Sequence, residues 1–211
     1  MTNAVIFDWG GVLMRTADYE PRHHWDRRLN LPVGSVERVV HGSEAWMLAQ
    51  RGKIGSNEYW TIIGDRLGLG PAQLSEFRHD FYSGDRLDET LLSLIADLRD
   101  RGILIGLLSN NSIELLDLLA DQQLNNLFDG IIISAQIGIM KPDPRAYQAM
   151  LERLGATSGR SLLIDDAREN VEGAQAQGMA AIRFEPGMVL LPAIQSWLRN
   201  SNAASTADFA T

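Results

Sequence analysis

The chain predicts an α/β fold built on a parallel sheet covered by helices on both faces. Three observations predict it: short continuous apolar runs of strand length, helical periodicities alternating with them from Leu87 onward, and polar residues where several of the apolar runs stop. In an open parallel sheet, ligands bind beyond the carboxyl ends of the strands. Polar residues at those ends therefore mark the candidate site.

The first such run is Val5-Ile6-Phe7, which ends at Asp8 and is followed by Trp9-Gly10-Gly11-Val12-Leu13. Taken alone, an aspartate before glycines is ordinary turn chemistry. From about Met14 to Asp85 the character changes, with no clear β-run and helical patterns at Arg22–Leu29, Val36–Gln50, Ser56–Leu67 and Pro71–Tyr82. Ser35, Ser56 and Gly70 stand as N-caps, and glycines punctuate the stretch. These residues predict a small helical unit inserted after the first strand.

Alternation then begins. Leu91, Leu94, Ile95 and Leu98 share one helix face, and Gly102 stops that helix. Ile103–Leu108 reads as a strand ending in Ser109-Asn110, Ile113–Leu124 as a helix, and Ile131–Ser134 as the next strand. Lys141-Pro142-Asp143-Pro144 opens a helix, with Asp143 at the N-cap and Pro144 at the first helical position, that buries Tyr147, Met150, Leu151 and Leu154 and ends at Gly155. Ser161–Ile164 delivers Asp165-Asp166, a helix covers Asn170–Gln177, and Ala180–Phe184 is the last strand. The predicted organisation is a core of residues 1–14 and 86–199, a cap of residues 15–85, and a disordered tail over 200–211.

Composition narrows the classes. The 211 residues are 45% hydrophobic and 22% charged, ordinary for a soluble globular protein. A net charge of −8 without a basic run disfavours nucleic acid and anionic membranes as partners. The lack of cysteine excludes disulfides, thiolate metal sites and cysteine nucleophiles, and no stretch approaches the ~18 apolar residues of a spanning helix. A cytoplasmic protein, monomer or homodimer, is expected. The nucleotide-binding G-x-x-x-x-G-K-[ST] pattern and the G-x-S-x-G serine elbow are both missing.

If their strands are neighbours, Asp8 and the Asp165-Asp166 pair meet in one crevice. Carboxylates without histidine or cysteine suit Mg²⁺, and the Gly10 carbonyl could add a ligand. Lys141 would neutralise a phosphate there, and Ser109 and Asn110, opening the next helix, could bind its other oxygens. An aspartate nucleophile is an established route for phosphoryl transfer. Each piece also has a plain structural reading as a cap, a turn or a solvated lysine. Their occurrence in this order favours the chemical one.

Phe7–Leu13, Leu108-Ser109-Asn110, Lys141–Pro144 with Tyr147, and Ile164-Asp165-Asp166 with Asn170 resemble the four ordered motifs of the haloacid dehalogenase superfamily, in the subgroup with a helical cap after the first motif. The resemblance spans about residues 4–186 and is nearest to sugar-phosphate phosphatases of the glucose-1-phosphatase type. It implies a Rossmann-like core, Mg²⁺ dependence and hydrolysis of a small phosphorylated metabolite through an aspartyl-phosphate. It implies Asp8 as nucleophile, with Asp8, the Gly10 carbonyl, Asp166 and Asp165 around the metal, and Ser109, Asn110 and Lys141 on phosphate. A 2-haloacid dehalogenase is the nearest rival, though the Asp165-Asp166 pair argues against it. A weakly catalytic phosphate-binding regulator is the other.

One departure matters. The family pattern places an acid/base aspartate two residues after the nucleophile, and this chain has Gly10 there. The leaving group could be intrinsically good, the acid could come from the cap (His23, His24, His41 or Glu44), or the protein could mainly bind. The first is preferred. His23, His24 and Trp46 are the candidate substrate contacts of the cap, with Trp25 and Trp60 as further aromatic members of that unit.

Overall fold

The computed structural model describes residues 2–207, with side chains through Ser201. Ala4–Phe7 forms β1, all four residues without measurable exposure. After the Gly10-Gly11 turn come β2 (Met14–Thr16) and the helices α1 (Glu20–Arg28), α2 (Ser35–His41), α3 (Glu44–Gln50), α4 (Ser56–Leu67) and α5 (Pro71–Ser83). Then β3 (Asp85–Leu87) returns antiparallel to β2. The remainder alternates: α6 (Glu89–Asp100), β4 (Leu104–Ser109), α7 (Glu114–Asp121), a 3-10 turn (Leu124–Leu127), β5 (Gly130–Ile133), α8 (Ser134–Ile137), α9 (Pro144–Leu154), β6 (Ser161–Asp165), α10 (Arg168–Ala176), β7 (Ala180–Arg183) and α11 (Leu191–Ala207).

Among the described residues the main sheet has five parallel strands in the order β5-β4-β1-β6-β7. Strand alternation divides its side chains between two cores. Val5 and Phe7 pack with Ile105, Leu107 and Ile164 under Leu91, Ile95 and Leu98 of α6. On the opposite face Ala4 and Ile6 pack with Leu163 against Tyr147, Met150 and Leu154 of α9 and Ala174 of α10. At ~1.5–3 kcal/mol for each fully buried large apolar side chain, these two layers hold β1 rigidly in the centre. Phe7 lies opposite Leu107 and Ile164, and the Asp8 N–H continues the pairing onto the Ile164 carbonyl at 2.9 Å. The ends of β1, β4 and β6 therefore open on one crevice.

The insert has a core of its own, built on Trp25, Tyr59, Trp60, Phe77 and Phe81, with Trp25 edge-on to Phe77 at 5.2 Å. Its internal layout differs from the sequence expectation in three ways. The helix expected over Val36–Gln50 is two, α2 and α3, because the chain turns at Gly42 and Ser43 restarts it by accepting from the Trp46 N–H at 3.2 Å. Ser35 is not the N-cap of α2 but its first residue. The buried Asp26 does that work from α1, accepting from Gly34 N at 2.7 Å and Val36 N at 2.8 Å. Likewise Gly55, not Ser56, is the N-cap of α4.

The third difference is the β2–β3 ribbon, which the sequence did not suggest. The boundaries expected at 14/15 and 85/86 fall inside it. Ala17 N and Asp18 N both donate to the Gly84 carbonyl, at 3.0 and 3.1 Å, and a Cβ on Gly84 would fall 1.9 Å from the Asp18 carbonyl. At the other end, α11 runs to Ala207, through much of the tail expected to be disordered. Trp197 and Leu198 pack on the core and anchor the helix from which that stretch continues. Residues 208–211 of that tail lie outside the described residues.

Candidate active site

Asp8 leaves the end of the central strand into the crevice and is 8% exposed. Its Oδ1 accepts from the Trp9 N–H at 2.7 Å and lies 3.1 Å from Lys141 Nζ. Neither contact uses Oδ2. Burial pushes the Asp8 carboxyl up to about 6, against the pull of Lys141 and with help from the charge on Asp165.

Lys141 approaches from the loop between α8 and α9, with its side chain wholly buried. Its ammonium donates to Asp165 Oδ2 at 2.5 Å as well as facing Asp8. Burial alone would favour losing that proton, but the two carboxylates hold it above the ordinary lysine range. The Asn110 amide clasps the lysine backbone: Nδ2 donates to the Lys141 carbonyl and Oδ1 accepts from the Lys141 N–H, both at 2.8 Å. Asn110, expected on phosphate, thus uses its side chain to place Lys141. Ser109 ends β4 beside it, buried.

Asp165 is equally committed. Its oxygens accept from Lys141, from Ala167 N at 2.9 Å and from Asn170 Nδ2 at 3.0 and 3.2 Å. Asp166 is the exposed member of the pair, and partial burial together with the charge on Asp165 raises its carboxyl. Gly11 makes room for it: φ is +76°, and a Cβ there would fall 2.1 Å from Asp166 Oδ2.

Oxygens of Asp8, Asp165 and Asp166 lie within 4.8 Å of one another, with no histidine or cysteine in the group. Hard oxygen donors gathered in this way suit Mg²⁺. Asp8, Asp166 and the neighbouring Gly10 carbonyl could hold the ion, with Asp165 drawn mainly toward Lys141.

A cavity of about 520 Å³ lies between Asp166 and the insert. Gly10, Gly11, Asn110 and Asp166 line it from the sheet side, and Tyr19, Arg22, Glu37, His41, Trp46 and Tyr82 from the cap. Of the three cap contacts expected from sequence, Trp46 lines it, whereas His23 and His24 do not: His23 stacks its ring on Tyr19 at 6.0 Å and His24 is exposed. Among the four acid candidates His41 alone lines the cavity, and Glu44 is exposed on α3. His41 Nδ1 lies 3.2 Å from Glu37 Oε1, one helical turn earlier. That i,i+4 spacing was the available signal for Glu37, which sequence reasoning passed over. Gln50 was also missed. Its Nε2 donates to the Asn110 carbonyl at 2.8 Å and its carbonyl accepts from Ser134 Oγ at 2.7 Å, so the cap touches the lysine-bearing layer directly.

Comparison with known proteins fits this geometry. Residues 2–178 match the family model of haloacid dehalogenase-like hydrolases. A phosphatase of Mycobacterium tuberculosis is 33% identical over 190 residues, covering 85% of each chain. A sesquiterpene phosphatase of Aspergillus oryzae is 28% identical over 183 residues, 86% of this chain and 89% of that one. A haloacid dehalogenase family enzyme from Bacteroides thetaiotaomicron, solved with magnesium and inorganic phosphate, superposes with a TM-score of 0.75 at 19% identity over 90% of this chain and 97% of that one. With an acidic crevice at the centre of a parallel sheet, a buried lysine in its wall and a family match across most of its length, this chain belongs to the haloacid dehalogenase-like hydrolases.

Proposed function

We propose that the protein is a Mg²⁺-dependent phosphatase that hydrolyses a small phosphorylated metabolite through a phosphoaspartate on Asp8. The observation that carries this reading is the Asp8 carboxylate itself, half of it fixed by Lys141 and the Trp9 N–H and grouped with Asp166, which lines a substrate-sized cavity. The phosphatase relatives support it. The retained Asp165-Asp166 pair speaks against 2-haloacid chemistry.

In the proposed reaction a carboxylate oxygen of Asp8 attacks phosphorus in line, the ester P–O bond breaks, and the alcohol departs with a proton. Lys141 places positive charge beside the transferring phosphoryl oxygens, with Ser109 on the same side. Asp165 and Asn110 act as positioning residues that hold Lys141. Mg²⁺, bound by Asp8, Asp166 and the Gly10 carbonyl, would offset the negative charge gathered on the phosphoryl group and the carboxylates. Water then attacks the phosphoaspartate and releases inorganic phosphate. His41 is the cap group placed to give the departing alcohol a proton.

Phosphate release from sugar phosphates, acyl phosphates and aryl phosphates, measured with Mg²⁺ and with EDTA, tests the proposal. Turnover should fall by ~10²-fold or more in EDTA and return with Mg²⁺. Activity indifferent to EDTA would remove the metal from the mechanism.

Gly10 offers a sharper probe. A Cβ there meets no atom within 4 Å, so Gly10→Asp has open space at its first side-chain atom. Restoring an acid should speed alkyl phosphate hydrolysis by roughly 10–100-fold, below the ~10²–10⁴-fold ceiling of acid–base help, and leave aryl phosphates nearly unchanged. An unaltered alkyl-to-aryl ratio would mean that leaving-group protonation does not limit the rate.

A further inference from the structure

The cap side of the cavity carries charge, yet its cations are already engaged. Arg22 engages all three of its guanidinium nitrogens: Nε donates to the Phe81 carbonyl at 2.9 Å, Nη1 pairs with Glu37, and Nη2 pairs with Asp85 at 2.8 Å. Its flat face lies 4.2 Å from the Phe81 ring centre, and the side chain is almost fully buried. Arg15 is tied in the same way, donating to the Val12 carbonyl at 3.2 Å and to Asp88 at 2.6 Å. Among the described residues lining the cavity these two are the arginines, and no lysine joins them.

The acids outnumber them there. Glu37 and Asp85 both face Arg22, and Asp166 adds a third carboxylate at the sheet end. Glu37 stays ionised: burial works against it, but the bond to His41 and the charge of Arg22 hold its carboxyl below the usual range. The rest of the wall is broad and weakly polar, formed by Trp9, Met14, Tyr19, Trp46 and Tyr82.

We infer, resting on the phosphatase reading above, that this cavity selects phosphate esters of neutral alcohols or phenols with an apolar or aromatic face, and rejects esters that carry a second anionic group such as a carboxylate. A carboxylate entering beside the phosphoryl group would find all three nitrogens of the buried Arg22 already partnered, both terminal nitrogens of Arg15 likewise, and Glu37 and Asp85 nearby. It would have to break the ion pairs of the buried Arg22 or stay unpaired, and either outcome is penalised. A neutral aromatic or aliphatic group instead covers the tryptophan and tyrosine faces without disturbing a pair. Glu37 and Asp85 thereby become specificity residues: they deny Arg22 to the substrate.

The test compares two esters of nearly the same shape, 4-carbamoylphenyl phosphate and 4-carboxyphenyl phosphate, on the full chain with Mg²⁺. Wild type should favour the neutral ester in kcat/KM by about 100-fold, as expected when one substrate leaves a buried charge unpaired. In Glu37→Gln one arm of Arg22 keeps at most a neutral amide acceptor that a carboxylate can displace, and one repelling charge is gone, so the preference should narrow by about tenfold or more. Asp85→Asn removes the charged partner of the other arm in the same way and serves if the first variant folds poorly. The inference is overturned if wild type turns over the two esters within about threefold of each other. It is equally overturned if both variants keep the full preference. Phosphate release no greater than that of Asp8→Asn, from both esters, would instead sink the phosphatase reading and this inference with it.

Discussion

Asp8→Asn should abolish phosphate release, by ~10⁴-fold or more, while leaving a protein that is more stable than wild type at neutral pH. The rate loss follows from removing the nucleophile, for which no neighbouring group can substitute. The gain in stability follows from burial. The Asp8 carboxyl is held at about 6, well above the ~3.9 of an unfolded chain. Ionising it therefore costs the folded state. The contribution of Asp8 to stability is complete below pH ~3.9 and is lost as the pH rises through about 6. An uncharged amide of the same shape avoids that loss. In EDTA the variant should melt several degrees above wild type at about pH 7.5, with the gap roughly halved at about pH 5 and closing only toward pH ~3.9. A lower melting temperature at both pH values would mean that Asp8 contributes to the fold through its charge.

Lys141→Met should have the opposite effect on stability. Its ammonium is the shared partner of two buried carboxylates, at 3.1 Å from Asp8 and 2.5 Å from Asp165. Removing it leaves those charges facing each other, a situation that costs ~3–5 kcal/mol. At about 2–4 °C per kcal/mol for a chain of this length, the melting temperature should fall by roughly 6–20 °C. Phosphate release should fall by ~10²–10³-fold from loss of the charge that meets the phosphoryl oxygens. Adding Asp165→Leu to Lys141→Met should recover part of the melting temperature, because the second change withdraws one of the stranded charges, while activity stays lost. If the double variant melts no higher than the single one, the damage lies in packing, not in unpaired charge.

The central strand, its neighbours and the polar ends that meet at the crevice were legible because buried parallel strands read as unbroken apolar runs. Asp8 and the Asp165-Asp166 pair each end or follow such a run, whereas Lys141 lies in a loop and was marked by the Pro142-Asp143-Pro144 helix start after it. What each side chain does once there was less legible. Nothing local announces that the Asn110 amide would clasp the Lys141 backbone or that Lys141 would take one Asp165 oxygen, since those partners are remote in the chain. The same limit hid the capping of α2 by Asp26, a contact across two helices. Three-residue strands such as β2 and β3 have too few residues to show alternation. His41 could not be separated from His23 and His24 by composition, because the choice is made by which face of the cap meets the sheet.

The β2–β3 ribbon also bears on how the insert can change. Both of its ends are pinned within one pair of short strands, sealed by Ala17 and Asp18 on the Gly84 carbonyl. The insert is thus a closed loop in the polymer sense, and lengthening a flexible loop twofold raises its closure entropy by only ~0.6 kcal/mol. Length and sequence between those strands can drift at almost no expense to β1. The clamp lets the specificity-bearing part of the molecule be rebuilt while the strand that presents Asp8 keeps its register.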